Sequence, residues 1–128
     1  RAYEIETEVE LSGEGSAGLM LFGSPNVYIG LAIAPDGKLR RVQEGFRRYR
    51  NTDEPEIEQS RVTLRIVNEK QDVRFYYRSA EGDWGILQPG MDVSSMSTVG
   101  WHALRPALFA TGSCEAHFRS FHYRPLEL

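Results

Sequence analysis

The chain has 128 residues and a net charge of −3, with 41% hydrophobic and 26% charged residues. These ordinary globular values exclude a disordered chain, and the length fits one domain, 1–128, with one hydrophobic core. The single cysteine excludes an intrachain disulfide, the acidic balance gives no reason to expect a polyanionic partner, and no apolar run approaches the length of a membrane span.

Strict alternation of apolar and acidic side chains opens the chain. Residues 3–11 have the period-two pattern of a half-buried strand. The other face of this strand carries Glu4, Glu6, Glu8 and Glu10. Residues 12–16 contain two glycines and predict a flexible turn. The stretches 17–22 and 27–34 then predict a strand pair, followed by a turn at the Pro-Asp-Gly of residues 35–37.

Short strands continue to the end of the chain. They are predicted at 38–44, 46–50, 62–66, 73–78, 106–111 and 115–123. The polar segment 51–60 predicts a loop, and 88–100 predicts an irregular stretch with a short helical turn near Asp92. Since no helical period exceeds a turn or two, about ten short strands with regular turn signals predict an all-β, antiparallel jelly-roll β-sandwich.

Three stretches, taken in order, resemble a known family. They are 17–22 with 26–31, then 73–84, and finally 107–112 with 116–123. Together they resemble the C-terminal concanavalin A-like β-sandwich of glycoside hydrolase family 43 β-xylosidases and arabinofuranosidases, and the resemblance spans nearly the whole chain. It departs in the last strand, where His117 and Arg119 replace the acidic residues usual around the phenylalanine. No acid-dependent metal contact is therefore expected there.

The resemblance implies a non-catalytic accessory module. Such domains pack against a catalytic five-bladed propeller, help to close its active-site pocket, and in some members bind xylan-type polysaccharides. The partners it implies are a plant cell-wall polysaccharide such as xylan or arabinoxylan and the catalytic propeller domain of a parent protein. Catalytic residues are then expected outside this chain.

Arginine and tyrosine alternate with apolar residues in several strands, and the chain holds thirteen arginines against two lysines. If Phe75 faces the core, strand geometry places Arg74 and Tyr76 on the opposite face. Aromatic rings that stack on sugars, beside planar guanidinium donors, suit carbohydrate binding. The predicted carbohydrate-binding residues are Tyr28, Tyr49, Arg65, Arg74, Tyr76 and Trp101. Docking on a partner domain and a plain solvated surface are the alternative interpretations.

Two other features support competing hypotheses. Glu4, Glu6 and Glu8 share one strand face and suggest a small jelly-roll glycosidase, because retaining hydrolysis needs two carboxyl groups about 5–5.5 Å apart. No tryptophan lies near them in sequence, so we prefer a solvent-facing strand whose charges discourage edge-to-edge pairing. Trp84 follows a turn and is interpreted as a structural wedge at the core edge. A purely structural interaction domain is the remaining hypothesis.

Metal, nucleophile and nucleic-acid sites are not predicted. His117 and His122 are an odd number of residues apart and point to opposite faces of a regular strand, unless a bulge near Ser120 changes the register. Cys114 is interpreted as a small buried thiol. Related sandwiches often hold calcium, but no loop has the density of aspartates that calcium needs, so no cofactor is predicted. The basic residues within 38–50 are accompanied by acidic ones, which argues against nucleic acid.

Overall fold

A computed structural model describes residues 2–45, 54–57, 61–69, 72–79, 82–92 and 104–126. Within these ranges the chain forms seven β-strands and no helix. The strands are β1 (Ala2–Ser24), β2 (Val27–Ile33), β3 (Leu39–Glu44), β4 (Arg61–Glu69), β5 (Asp72–Ser79), β6 (Gly85–Asp92) and β7 (Arg105–Pro125). None of the described residues forms a helix long and apolar enough to cross a membrane.

Strand β1 organises the sheet, because it has different neighbours along its length. Its first half, residues 2–10, pairs with β4, whereas residues 17–24 pair with β2. The long strand β7 pairs with β1 along almost its whole length, from Tyr3 opposite Pro125 to Phe22 opposite Arg105. All pairings are antiparallel, and the remaining order is β3-β2-β1-β4-β5-β6.

These pairings make two layers that share one core. The first layer holds β6, β5, β4 and the first half of β1, and the second holds β3, β2 and the second half of β1; β7 belongs to both. Side chains from the inner faces of both layers form one buried cluster. Its fully buried members include Ile5, Leu19, Ile29, Leu64 and Phe75. Each such side chain contributes about 1.5–3 kcal/mol by leaving water. The predicted all-β antiparallel sandwich is therefore confirmed.

The glycines of residues 12–16 keep β1 continuous, so the turn predicted there is wrong. Gly13 adopts a φ of 98°, and Gly112, which lies opposite Gly15 on β7, adopts a φ of 81°; glycine takes both conformations without steric cost. A Cβ on Gly15 would collide with the carbonyl oxygen of Thr111 and the sulfur of Cys114. Glycine here lets the paired strands approach closely while β1 passes from one layer to the other.

Seven strands replace the predicted ten mainly because strands expected to be separate are continuous. Residues 3–11 and 17–22 are parts of β1, and 106–111 and 115–123 are parts of β7. The predicted strand 46–50 and residues 93–103 lie outside the described ranges. Residues 88–92, predicted as irregular, belong to β6. The turn at residues 35–37 is confirmed, since the Gly37 amide donates to the Ala34 carbonyl at 2.9 Å.

Candidate functional site: the charged face

The outer face of the first layer carries most of the predicted site, and we call it the charged face. Cross-strand register places Glu6 opposite both Arg65 and His122, and Arg65 opposite Tyr76. Residues directly opposite each other share one face of a sheet. The charged face includes Glu4, Glu6, Glu8 and Glu10 on β1, Arg61 and Arg65 on β4, Arg74, Tyr76 and Arg78 on β5, His117, Arg119, His122 and Arg124 on β7, Ile86 on β6, and Trp84 immediately before β6.

Arg65 lies at the centre of this face and is held from two sides. Its Nε and Nη2 donate to Oε1 of Glu6 at 2.9 and 2.7 Å, and Nε lies 3.4 Å from Oε2 of Glu4. Its guanidinium carbon lies 3.9 Å from the centre of the Trp84 ring. Only 26% of its side chain is exposed. Arg65 therefore has few donors free for a ligand, and it serves mainly to position its neighbours.

Glu4 is a buried carboxylate, only 7% exposed, in a strand that is not an edge. It forms ion pairs with Arg65 from β4 and Arg124 from β7. A buried charge is tolerated only when it is paired and hydrogen-bonded. The expectation that the glutamates line a solvent-facing strand and discourage edge pairing is therefore wrong for Glu4, because β1 lies between β4 and β7 and its carboxylates join the three strands.

Trp84 lies on the charged face and does not wedge into the core. It lies immediately before β6, and its ring contacts Arg65 of β4 and Arg78 of β5, both on this face. The guanidinium carbons of Arg65 and Arg78 lie 3.9 and 4.6 Å from its ring centre. Cation–π contacts of this kind contribute about 0.5–1 kcal/mol at exposed sites. The half-buried indole is thus fixed by two arginines beside Tyr76.

The structure brings together three of the six predicted binding residues. Arg65, Arg74 and Tyr76 lie on the charged face, with Arg74 paired to Asp72 at 3.3 Å. Tyr28 lies on the outer face of the second layer, where it stacks on Phe22 with ring centres 6.4 Å apart. The predicted shared face is therefore wrong for Tyr28. Tyr49 and Trp101 lie outside the described residues.

A bulge in β7 changes the direction of its histidines. Thr7 is opposite Phe121 and Glu8 is opposite Arg119, so Ser120 is an extra residue, with a φ of 55°. His117 and His122 consequently both lie on the charged face, which corrects the expectation for a regular strand. Among the described residues, no group of three or more His, Cys, Asp or Glu side chains is placed to hold a metal ion.

A hollow of about 400 Å³ opens between β1, β4 and β7, within the volume range of ligand pockets. It is lined by Glu4, Glu6, Arg65, His122, Tyr123 and Arg124. Its two carboxylates form ion pairs with its two guanidinium groups. The sequence singles out Arg65, Glu4 and Glu6 for different reasons but does not predict that they meet, because alternation indicates which residues share a strand face and not which strands are neighbours.

The layers, the register and the β1–β7 ribbon define a concanavalin A-like sandwich. Residues 1–124 match the family described as the beta xylosidase C-terminal concanavalin A-like domain, and the chain belongs to this family. No curated protein matches the chain.

Solved structures support the same fold. The GH43 BlXynB protein from Bacillus licheniformis aligns with a TM-score of 0.80 and 22% identity, covering 98% of this chain and 28% of that one. The xylan beta-1,4-xylosidase from Bacillus halodurans C-125 aligns with a TM-score of 0.81 and 19% identity, covering 96% and 27%. A functionally unknown protein from Saccharomyces cerevisiae aligns with a TM-score of 0.71 and 18% identity, covering 98% and 71%. The chain thus spans little more than a quarter of the first two proteins.

Proposed function

We propose that this chain is the non-catalytic accessory domain of a glycoside hydrolase of the β-xylosidase type, and that its charged face binds xylan-type polysaccharide. Membership of a family of C-terminal domains supports this role. The remainder of the two bacillary proteins, more than two-thirds of each, leaves room for a catalytic domain in a parent of the same architecture.

The observation that carries the proposal is that Tyr76 and the exposed Arg74 share one sheet face with Trp84, whose indole Arg65 and Arg78 fix in place. Aromatic rings bind the CH-rich faces of sugars by stacking, and guanidinium groups donate paired hydrogen bonds to neighbouring hydroxyls. The Arg74 side chain is 43% exposed and supplies such donors. Because strands and ion pairs fix these groups before a ligand arrives, little conformational entropy is lost on binding, and weak contacts to successive sugar units add up.

The glutamates of β1 support a structural role over a catalytic one. A glycosidase needs one carboxyl group that gives a proton and a second that attacks or activates water. Glu6 accepts two hydrogen bonds from Arg65, and Glu4 is buried between Arg65 and Arg124. Both carboxylates are thus engaged in holding the strands together. A jelly-roll glycosidase using Glu4, Glu6 and Glu8 is therefore the weaker hypothesis.

Affinity electrophoresis of the chain in gels with xylan, arabinoxylan, β-glucan or no polysaccharide tests the proposal. We expect retardation by xylan that weakens in Trp84→Ala and in Tyr76→Ala. Tyr28→Ala, an aromatic truncation on the other layer, is the matched control and leaves retardation unchanged. If no glycan retards the chain, polysaccharide binding is wrong, and a structural domain that packs against the catalytic domain becomes the leading account.

The same preparation tests the glycosidase hypothesis. Incubation with xylan and with β-glucan is expected to release no reducing sugar. Hydrolysis that disappears in Glu6→Gln would contradict the accessory role and assign catalysis to β1.

A further inference from the structure

Strand β7 has an unusually long open edge. It runs for 21 residues, and among the described residues its only strand partner is β1. The other edge presents a long row of backbone N–H and C=O groups. Natural proteins shorten, cover or pair such edges, because an exposed edge is a template for a further strand.

The side chains of β7 also indicate a missing neighbour. Leu108, Phe121 and Tyr123 lie opposite Leu19, Thr7 and Ile5, which are fully buried, and so they point to the same side of the sheet. They nevertheless remain 38%, 43% and 44% exposed. These core-directed side chains are exposed because, in the described part of the chain, each layer ends at β7. Phe121 and Tyr123 are neighbours on this side of β7, Leu108 lies near its other end, and exposed apolar patches of this kind mark an interaction surface.

We infer that the open edge of β7 receives a further β-strand from the remainder of the parent polypeptide, which completes both layers of the sandwich. The inference rests on the proposed place of the chain in a longer parent, but not on sugar binding. The added strand extends the sheet by main-chain hydrogen bonds, and pockets for its alternate side chains supply specificity.

The positions of the strand ends favour a strand from the parent polypeptide as the neighbour of β7. The Leu126 amide donates to the Ala2 carbonyl at 2.9 Å, so the start of β1 and the end of β7 are adjacent. The family is one of C-terminal domains, and the chain covers only 28% of BlXynB. In a parent of that architecture, the polypeptide preceding β1 begins about two strand spacings, roughly 10 Å, from the open edge.

The chemistry of β7 specifies the added strand and disfavours a second copy of this chain. Its core side must carry apolar residues that cover Leu108, Phe121 and Tyr123. Its other side joins the charged face beside Arg119, His122 and Arg124, where acidic or hydroxyl side chains fit. Two β7 edges paired together would bring basic rows side by side, and like charges across a sheet destabilise it.

Amide hydrogen exchange of β7, measured in the isolated chain and in the parent protein, tests the inference. In an edge strand, part of the N–H groups point away from the neighbouring strand and are not hydrogen-bonded. We expect these outward amides of residues 105–125 to exchange quickly in the isolated chain and at least about tenfold more slowly in the parent. Equal exchange in both would overturn the inference, as would an isolated chain that is dimeric with a protected β7 edge.

Variants of the parent protein give a second readout. Phe121→Ser and Tyr123→Ser should increase exchange at the outward amides of β7. Ile86→Ser, which removes a 61% exposed side chain from β6, is the matched control and should not change it. If the outward amides of β7 exchange quickly in the parent while xylan still retards the isolated chain, only the added strand is overturned. If those amides are protected in the parent and xylan does not retard the isolated chain, only polysaccharide binding is overturned.

Discussion

The Nη2 atom of Arg65 donates to Oε1 of Glu6 across 2.7 Å and so joins the side chains of β4 and β1 at the centre of the charged face. The same guanidinium lies against Trp84 and beside Glu4. One arginine therefore links the ion pairs of β1 to the aromatic surface that we assign to polysaccharide. Substitutions around it separate the structural contribution of these contacts from the functional one.

Replacement of Arg65 should destabilise the domain more than replacement of a surface arginine. Arg65→Met keeps an apolar stem but leaves Glu6 and the buried Glu4 short of a cation. Removing one partner of a fully buried pair costs roughly 3–5 kcal/mol, and partial exposure of Arg65 reduces our expectation to about 2–3 kcal/mol. Urea unfolding measures this loss. Arg74→Met is the control, since the exposed Arg74–Asp72 pair should contribute under about 1 kcal/mol. Equal losses in both variants would contradict the central role of Arg65.

Trp84 and Arg78 should stabilise the fold jointly. The Arg78 guanidinium carbon lies 4.6 Å from the indole centre, which predicts a coupling free energy of about 0.5–1 kcal/mol. A double-mutant cycle with Trp84→Leu, Arg78→Met and the double variant, followed by urea unfolding, isolates this quantity. Strictly additive losses would show that the contact contributes nothing to stability.

Gly15→Ala should weaken the β1–β7 ribbon, because the added methyl group collides with the Thr111 carbonyl and the Cys114 sulfur. Overpacking of this kind typically costs about 1–3 kcal/mol, measured as a lower midpoint of thermal or urea unfolding. Gly82→Ala is the matched control. The nearest atom there is the movable Ser79 hydroxyl at 2.9 Å, so the stability should change by less than about 1 kcal/mol. A neutral Gly15→Ala variant would contradict the close approach of the strands.

Asp36 should make the turn at residues 35–37 sensitive to acid. The Lys38 amide donates to its carboxylate at 3.0 Å, and together with the nearby Arg40 guanidinium it holds the pKa below the ordinary 3.8. Since the folded state favours the ionised form, the stabilisation is present above pH 3.8 and is lost as the pH falls through the lower folded pKa. The difference in unfolding midpoint between the natural chain and Asp36→Asn should therefore vanish in strong acid. An NMR titration midpoint of Asp36 at or above 3.8 would show that these contacts do not act as described.

Alternation in sequence predicted the faces of individual strands well. Within β5, Arg74 and Tyr76 point to the face opposite that of the buried Val73 and Phe75, because side chains of a strand alternate with a period of two. The same rule contains no information about layers, and it therefore does not separate Tyr28, on the second layer, from Arg74 and Tyr76 on the first.

The remaining differences between the predicted and the observed site come from local backbone geometry and strand pairing. Trp84 lies on the charged face because the pairing of β6 with β5 brings the residue before β6 against Arg65 and Arg78. The bulge at Ser120 turns His122 to the same face as His117. A bulge near Ser120 is one of the two alternatives that the sequence leaves open, but the residue types alone decide neither the bulge nor the register of β6. The Glu4 ion pairs depend on β4 and β7 lying on either side of β1, and that arrangement joins residues more than fifty positions apart.

The pairing of β1 with β7 has a consequence for the order of folding. Tyr3 meets Pro125, so the longest ladder in the sandwich closes nearly the whole length of the chain. Folds dominated by such non-local pairings form slowly, because loop-closure entropy is lost before the contacts form. During synthesis, β1 emerges first among the described strands and must wait for β7, the last of them. Until then the glutamates of β1 lack Arg124, and the inner faces of both layers lack their common border strand.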